Sequence, residues 1–287
     1  MKNYLEIKSK KQLKLAKIPA KSKSAELSDH DYKVILDNNR DKLDEYQNIF
    51  YADHKRSLLV IFQGMDTSGK DGAIKHVISG LNPEGCTVIN FKAPTANELD
   101  HDFLWKAHSQ LPTRGQIGIF NRSYYEEVLV TKVHPHLLEK ENIPGTQKFD
   151  KTFWAFRYRD IVNFEDYLQR QGYEIIKIFI HISKAEQKHR LLSRFEDPHK
   201  LWKIEEADIY ERGFWQEYQK AYEDCMAATA TKANPWYIVP GDDKKRARAA
   251  ISQLLVDRFE RMKLTYPVLN QEQKKSLKKL KEQLVKS

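Results

Sequence analysis

Apolar residues fall into short runs separated by longer amphipathic stretches, and the alternation of the two sets the expected architecture. Tyr32, Leu36, Leu43, Tyr46 and Phe50 recur at helical spacing over residues 29–53, with Ser28 or Asp29 placed to cap the start. Leu58-Leu59-Val60-Ile61-Phe62 is a continuous apolar run, followed by a helical pattern over Ala73–Ile78 that ends near Gly80. Residues 87–91, 116–120, 174–181 and 236–239 supply four more apolar or β-branched runs of strand length. Between and after them the spacing predicts helices over 98–109, 124–132, 152–171, 184–195, 209–228 and 243–261, with a short basic helix over 271–286. In the helix at 152–171 the inner face is predicted from Phe153, Phe156, Ile161, Phe164 and Leu168. Five strands alternating with helices predict an α/β fold with a five-stranded parallel sheet covered on both faces, a three-layer sandwich. In such a sheet, loops beyond the carboxyl ends of the strands build the site. That rule brings together the segments at 64–71 and 121–127 and the one after His181.

The first of these segments carries the chemistry. Gly64-Met65-Asp66-Thr67-Ser68-Gly69-Lys70 lies between a strand and a helix and matches G-x-x-x-x-G-K. Its glycines let the backbone curl so that N–H groups face an anion, the helix N-terminus adds partial positive charge, and Lys70 adds a full one. The next residue is Asp71 instead of the usual Ser or Thr, and Asp66 adds a second carboxylate, so a Mg²⁺ ion here would take oxygens from carboxylates and phosphate. At the end of the third strand stand Asn121, Arg122 and Ser123, then Glu126 and Glu127. Arg122 has the planar fork suited to a phosphoryl group, and Glu126 is placed to hold Mg²⁺ or orient an acceptor. Two acids in a first helical turn are also what the helix dipole favours without any catalytic role.

Lys188–Lys203 gathers Lys188, His189, Arg190, Arg194, His199, Lys200 and Lys203 around Trp202, with Glu196, Asp197, Glu205 and Glu206 offsetting part of the charge. Beside a phosphate loop, this charged segment reads as a lid over about 184–208 that closes on the transferring group and excludes water. His134 and His136 flank Pro135, which is poor geometry for a metal site. His181 reads as a core or edge histidine, and Phe214, Trp215, Tyr218 and Tyr222 read as core at helical spacing.

The chain has 287 residues, 40% of them hydrophobic and 11% aromatic, which suits one globular domain over 29–262 with no clear boundary inside it. Its net charge of +9 fits polyanionic partners, and part of the excess sits in two flanking segments. A basic arm over 1–28 holds Lys2, Lys8, Lys10, Lys11, Lys14, Lys17, Lys21 and Lys23. A basic tail over 263–287 holds Lys274, Lys275, Lys278, Lys279, Lys281 and Lys286. Cys86 and Cys225 are far apart and belong to no Cys/His cluster, so free thiols and a cytoplasmic location are expected, with neither a membrane nor a nucleic acid as partner.

Together these segments resemble the family-2 polyphosphate kinases. The resemblance rests on residues 64–72, Phe120-Asn121-Arg122-Ser123, Tyr125-Glu126-Glu127-Val128-Leu129, Pro235-Trp236-Tyr237-Ile238-Val239-Pro240, and then Asp242, Lys244 and Arg248. It spans roughly residues 30–262. It implies a P-loop kinase core similar to thymidylate kinase with a helical lid, and transfer of a terminal phosphoryl group between inorganic polyphosphate and AMP, ADP or ATP with Mg²⁺ or Mn²⁺. It also implies a homo-oligomer, in the form of a tetramer. By the resemblance, Asp66 serves metal and acceptor phosphate, Lys70 is the phosphate-loop lysine, Arg122 holds phosphate, and Arg194, Lys200 and Lys203 are lid cations. The strand ending in Asn121 and the following Tyr-x-Glu are similar to the subgroup acting on both AMP and ADP, with Glu126 at the position tied to that choice. An ATP-dependent nucleoside monophosphate kinase of similar fold is the alternative. A non-catalytic polyanion-binding protein is a third reading, for which the sequence offers only the basic ends.

Overall fold

The protein is described by a computed structural model covering residues 3–9, 13–21, 27–144 and 148–287. Lys2, Lys10, Lys11 and Lys23 of the basic arm lie outside these residues. Six strands form the sheet: β1 (Leu5–Ile7), β2 (Ser57–Gln63), β3 (Cys86–Asn90), β4 (Ile117–Asn121), β5 (Tyr173–His181) and β6 (Trp236–Pro240). Eleven helices accompany them among the described residues: α1 (Asp29–Asp53), α2 (Lys70–Ile78), α3 (Ala96–Leu99), α4 (Trp105–Ser109), α5 (Glu126–Val133), α6 (Lys151–Arg170), α7 (Lys184–Phe195), α8 (Glu206–Gly213), α9 (Trp215–Thr229), α10 (Lys244–Met262) and α11 (Gln271–Lys286).

The strand order is β1-β6-β5-β2-β4-β3. The five strands expected from the hydrophobic runs are present and mutually parallel, but the sheet has six strands, because β1 pairs antiparallel with β6 through Leu5↔Ile238, Glu6↔Tyr237 and Ile7↔Trp236. Three residues inside a lysine-rich stretch give no usable periodicity, and the pairing is supplied by an edge some 230 residues away in sequence. The same segment then straps the carboxyl edge of the sheet. Leu15 is buried and its N–H donates to Glu223 at 2.7 Å, the Ile18 carbonyl lies 3.0 Å from His181 Nε2, and the Asp242 N–H donates to the Ala20 carbonyl at 3.1 Å.

β2 is buried along its whole length between β5 and β4, so both its faces must be apolar. Leu58, Val60 and Phe62 pack under α1, α2 and α10 with Leu43, Phe50, Ile74 and Phe259. Leu59 and Ile61 face the opposite layer with Phe120, Tyr125, Ile161, Phe179 and Trp236. α1 starts with a capping box between Ser28 and Asp31, and α6, α7, α10 and α11 are capped by Asp150, Ser183, Asp243 and Asn270.

Three helical expectations are corrected. The helix at 98–109 is broken into α3 and α4, because the Asp102 carboxylate takes the Leu104 N–H and starts a new turn. The helix at 209–228 is split at Phe214 into α8, where Ile209 and Tyr210 stay exposed, and α9, where Trp215, Tyr222 and Cys225 enter the core. On α6 the buried face is Trp154, Arg157, Tyr158, Ile161, Glu165 and Leu168, with Phe153 and Phe164 partly buried. Phe156 is 49% exposed and lies under the Arg159 guanidinium, 4.7 Å from its ring centre. Among the described residues no helix is long and apolar enough to cross a membrane. α11, which carries the C-terminal lysines, is exposed throughout.

Candidate functional site

Because β2, β4, β5 and β6 run parallel, the loops that follow them open on one edge, where they line a cavity of about 800 Å³. Its floor is the loop between β2 and α2. The chain leaves β2 through Gly64, where an added Cβ would fall 2.7 Å from Ser68 Oγ and 2.8 Å from the Ile180 carbonyl, so only glycine permits this approach. It enters α2 through Gly69 in the left-handed region at φ 97°. Lys70, the first residue of α2, is buried and donates to the Gly64 and Met65 carbonyls at 2.8 and 3.3 Å. Burial lowers its pKa, Arg122 adds to that, and Asp66, Glu126 and Asp71 oppose it.

β4 delivers Arg122 in the left-handed region at φ 61°, its N–H still held by the Phe62 carbonyl of β2. One arm of its guanidinium donates to Asp66 Oδ1 at 2.9 Å, and the other lies 3.7 Å from Glu126 Oε2. Glu126 holds Arg122 firmly in its charged form, with Asp66 assisting against burial. Glu126 itself is pushed up by burial, against the pull of Arg122 and Lys70. Asp66, Arg122 and Glu126 thus form a partly enclosed trio, joined by Gly64, Met65, Gln187, Glu211, Tyr218 and Tyr222 around a second, smaller cavity of about 40 Å³. The two acids after Arg122 part company. Glu127 faces away from the trio toward Glu141 and Arg157, in another small cavity under α3 and α4.

The segment expected to act as a lid also lines the large cavity. Lys200, Trp202 and Lys203 lie on a short 3₁₀ segment, Pro198–Lys203, between α7 and α8. Arg194 also lines the cavity while donating to the Lys203 carbonyl at 2.9 Å and Asp208 Oδ2 at 2.8 Å. Lys75, Lys244 and Arg248 line the same cavity. Nine lysine and arginine side chains and four carboxylates line this cavity, so it favours a multiply charged anion over a neutral ligand.

The residues given site roles from the sequence border the two cavities around Asp66 and Arg122: Asp66, Thr67, Ser68, Gly69, Lys70, Asp71, Arg122, Arg194, Lys200 and Lys203 the large one, Gly64, Met65 and Glu126 the small one, whereas Glu127, Lys188, His189 and His199 border neither. Arg190, read as one more lid cation, borders the large cavity too, but it is buried and its guanidinium is engaged by loop carbonyls. Tyr218 and Tyr222 belong to the core as read, and they also wall the small cavity. Asn121 also borders the large cavity, its amide N–H groups donating to Asp71 and Asn90, each at 2.8 Å. Its Oδ1 is enclosed with no partner among the described residues.

Sequence reading missed the support beneath the site. Lys177, in the middle of apolar β5, is fully buried. Its ammonium donates to Glu165 at 2.7 Å, the Thr229 carbonyl at 2.9 Å and the Tyr125 hydroxyl at 3.1 Å, while Tyr124 and Tyr125 donate to the same Glu165. This network fixes the turn from which Glu126 projects. A lysine inside Ile175-Ile176-Lys177-Ile178-Phe179 was the available signal, since a buried ammonium demands an acid.

Residues 26–267 match the family model described as Polyphosphate kinase 2. An ADP-polyphosphate phosphotransferase of Rhodopseudomonas palustris is 45% identical over 272 residues, covering 95% of this chain and 94% of its own. An AMP/ADP-polyphosphate phosphotransferase of Meiothermus ruber is 40% identical over 226 residues, covering 79% and 80%. The crystal structure of polyphosphate kinase 2 from Arthrobacter aurescens TC1 superposes with a TM-score of 0.85 at 34% identity, over 99% of each chain.

Proposed function

Since the chain belongs to the polyphosphate kinase 2 family, we propose that it transfers the terminal phosphoryl group of inorganic polyphosphate to ADP and to AMP, giving ATP and ADP, and that the reaction is reversible. The observation that carries this reading is the large cavity: nine cations gathered over a glycine-bounded loop. A polyphosphate chain has no base to recognise and demands such a track of positive charge. Both relatives named above are named for ADP and one of them also for AMP, and Glu126 beside Arg122 supports the dual acceptor.

An oxygen of the acceptor's terminal phosphate attacks the terminal phosphorus of the chain. The bridging P–O bond breaks, and the shortened chain leaves with the electron pair. That oxygen is already ionised near neutral pH, so positioning and charge neutralisation carry the catalysis and no phospho-enzyme forms. Lys70 and the loop hold the transferring group, Arg122 spans donor and acceptor oxygens, and Arg194, Lys200 and Lys203 close over it from the lid. The loop and lid are thus read as a P-loop kinase core.

The residues present fit a divalent cation such as Mg²⁺ or Mn²⁺. The nearby donors are all oxygens, from Asp66 and Glu126 and from Oδ1 of Asn121. Among the described residues no three of His, Cys, Asp and Glu converge as a ready-made cage, so phosphate oxygens would complete the shell. When bound, the cation neutralises charge building on the phosphoryl oxygens. We carry a homo-oligomer as part of the same proposal, with size-exclusion light scattering as its check.

The test is ATP and ADP production from long-chain polyphosphate with Mg²⁺, with ADP and separately with AMP, before and after EDTA. Product from both acceptors, lost with EDTA and restored by Mg²⁺, is the expected result. Product from ADP alone removes the dual acceptor. No product from either, together with ATP-dependent phosphorylation of a nucleotide, replaces this reading with the ATP-dependent kinase.

A further inference from the structure

Arg190 stands on α7, one helical turn before Arg194, and is buried. All three guanidinium nitrogens are engaged. Nε donates to Glu186 at 2.6 Å. Nη1 donates to the Thr67 and Ser68 carbonyls at 3.1 and 2.8 Å, and Nη2 to the Gly241 and Asp242 carbonyls at 2.5 and 3.3 Å. Four main-chain acceptors from two separate segments meet one side chain. The first segment is the loop under the large cavity. The second is the turn after β6 that starts α10, whose Lys244 and Arg248 line the same cavity.

A planar fork with donors on several edges can bridge two such segments, whereas the single ammonium of lysine cannot span them. The peptide group is planar and trans, so drawing the Ser68 carbonyl onto Nη1 turns the Gly69 N–H to the opposite side. The fit is close, since a Cβ on Gly69 would lie 3.3 Å from Nη1.

We propose that Arg190 is a positioning residue for phosphoryl transfer. Resting on the reading of residues 64–70 as the phosphate cradle, it clamps that loop to the turn before α10 and to the root of the lid, setting the direction of the loop N–H groups without touching substrate. Loss of the clamp leaves the acceptor's partners in place and misaligns the transferring group.

Arg190→Lys is expected to lower kcat about 10²-fold, with KM for ADP within threefold of wild type, a near-native thermal midpoint, and faster amide hydrogen exchange confined to residues 64–72 and 240–244. Glu186→Gln keeps all four carbonyl bonds and is expected to retain kcat within threefold. Full kcat in Arg190→Lys overturns the proposal, and so does an equal loss in Glu186→Gln, which would place the effect in the ion pair. If wild-type protein transfers nothing from polyphosphate, the proposed reaction fails on its own account. The exchange experiment still decides the clamp: unchanged exchange in Arg190→Lys refutes it.

Discussion

Replacing Glu127 by glutamine tests whether the structure has correctly separated the two acids that open α5. Glu127 is packed under α3 and α4. Burial first, and then the like charge of Glu141, push its carboxyl up to about 7 from 4.5, with Glu126 adding to the rise and Arg157 and Lys106 opposing it. The sign follows from linkage. Below pH 4.5 the group is protonated in both folded and unfolded chains and contributes no slope. Between 4.5 and 7 the unfolded chain ionises while the folded chain holds its proton, so stability falls as pH rises, and above 7 the loss is complete. At about 1.4 kcal/mol for each pH unit, that rise amounts to about 3 kcal/mol. Urea unfolding of both proteins from pH 4.5 to 8 should give curves that nearly meet at the acid end and diverge by about 3 kcal/mol above pH 7, with Glu127→Gln the more stable. Its thermal midpoint at pH 8 should lie about 6 °C higher. Because Glu127 faces away from Arg122, phosphoryl transfer should stay within twofold of wild type, whereas Glu126→Gln should lose it. Parallel unfolding curves would show that Glu127 is ionised in the fold. Loss of transfer in Glu127→Gln but not in Glu126→Gln would reverse the assignment of the two acids.

Lys70→Met and Asp66→Asn should each lower transfer by about 10³-fold or more while the circular dichroism spectrum and cooperative unfolding are retained, and activity persisting in both would remove the site from this loop. Glu165→Gln strands the Lys177 ammonium inside the sheet layer and should cost about 3–5 kcal/mol in denaturant unfolding. Replacing both partners with apolar residues of similar volume should recover most of that loss.

The parallel core was readable because each of its strands is a dense apolar run between helical stretches, and the loop was readable because its glycines and Lys70 are contiguous. Arg122 and Glu126 were placed by the rule that parallel strands open their loops on one edge. Features that depend on distant partners were not legible. Leu5–Ile7 has no pattern of its own and becomes a strand only against β6. Arg190 looks like any cation in a charged helix until four carbonyls from two other segments are found around it. Phe156 was misplaced because helical spacing alone does not say which of two aromatic stripes meets the sheet. On α6 the polar pair Arg157 and Glu165 lies on the buried side.

The antiparallel strand at Leu5–Ile7 bears on solubility as well as on architecture. β6 is the apolar run Trp236-Tyr237-Ile238-Val239, and without β1 it would be an open sheet edge, with free N–H and C=O groups to template self-association. Three residues cover it, reinforced by the Tyr4 ring packed edge-on against Tyr237 and by the Tyr237 hydroxyl on Glu6. During synthesis this cover emerges first, and the edge it protects emerges more than two hundred residues later. A folding stage with β6 docked and β1 still unpaired would therefore expose an aggregation-prone edge.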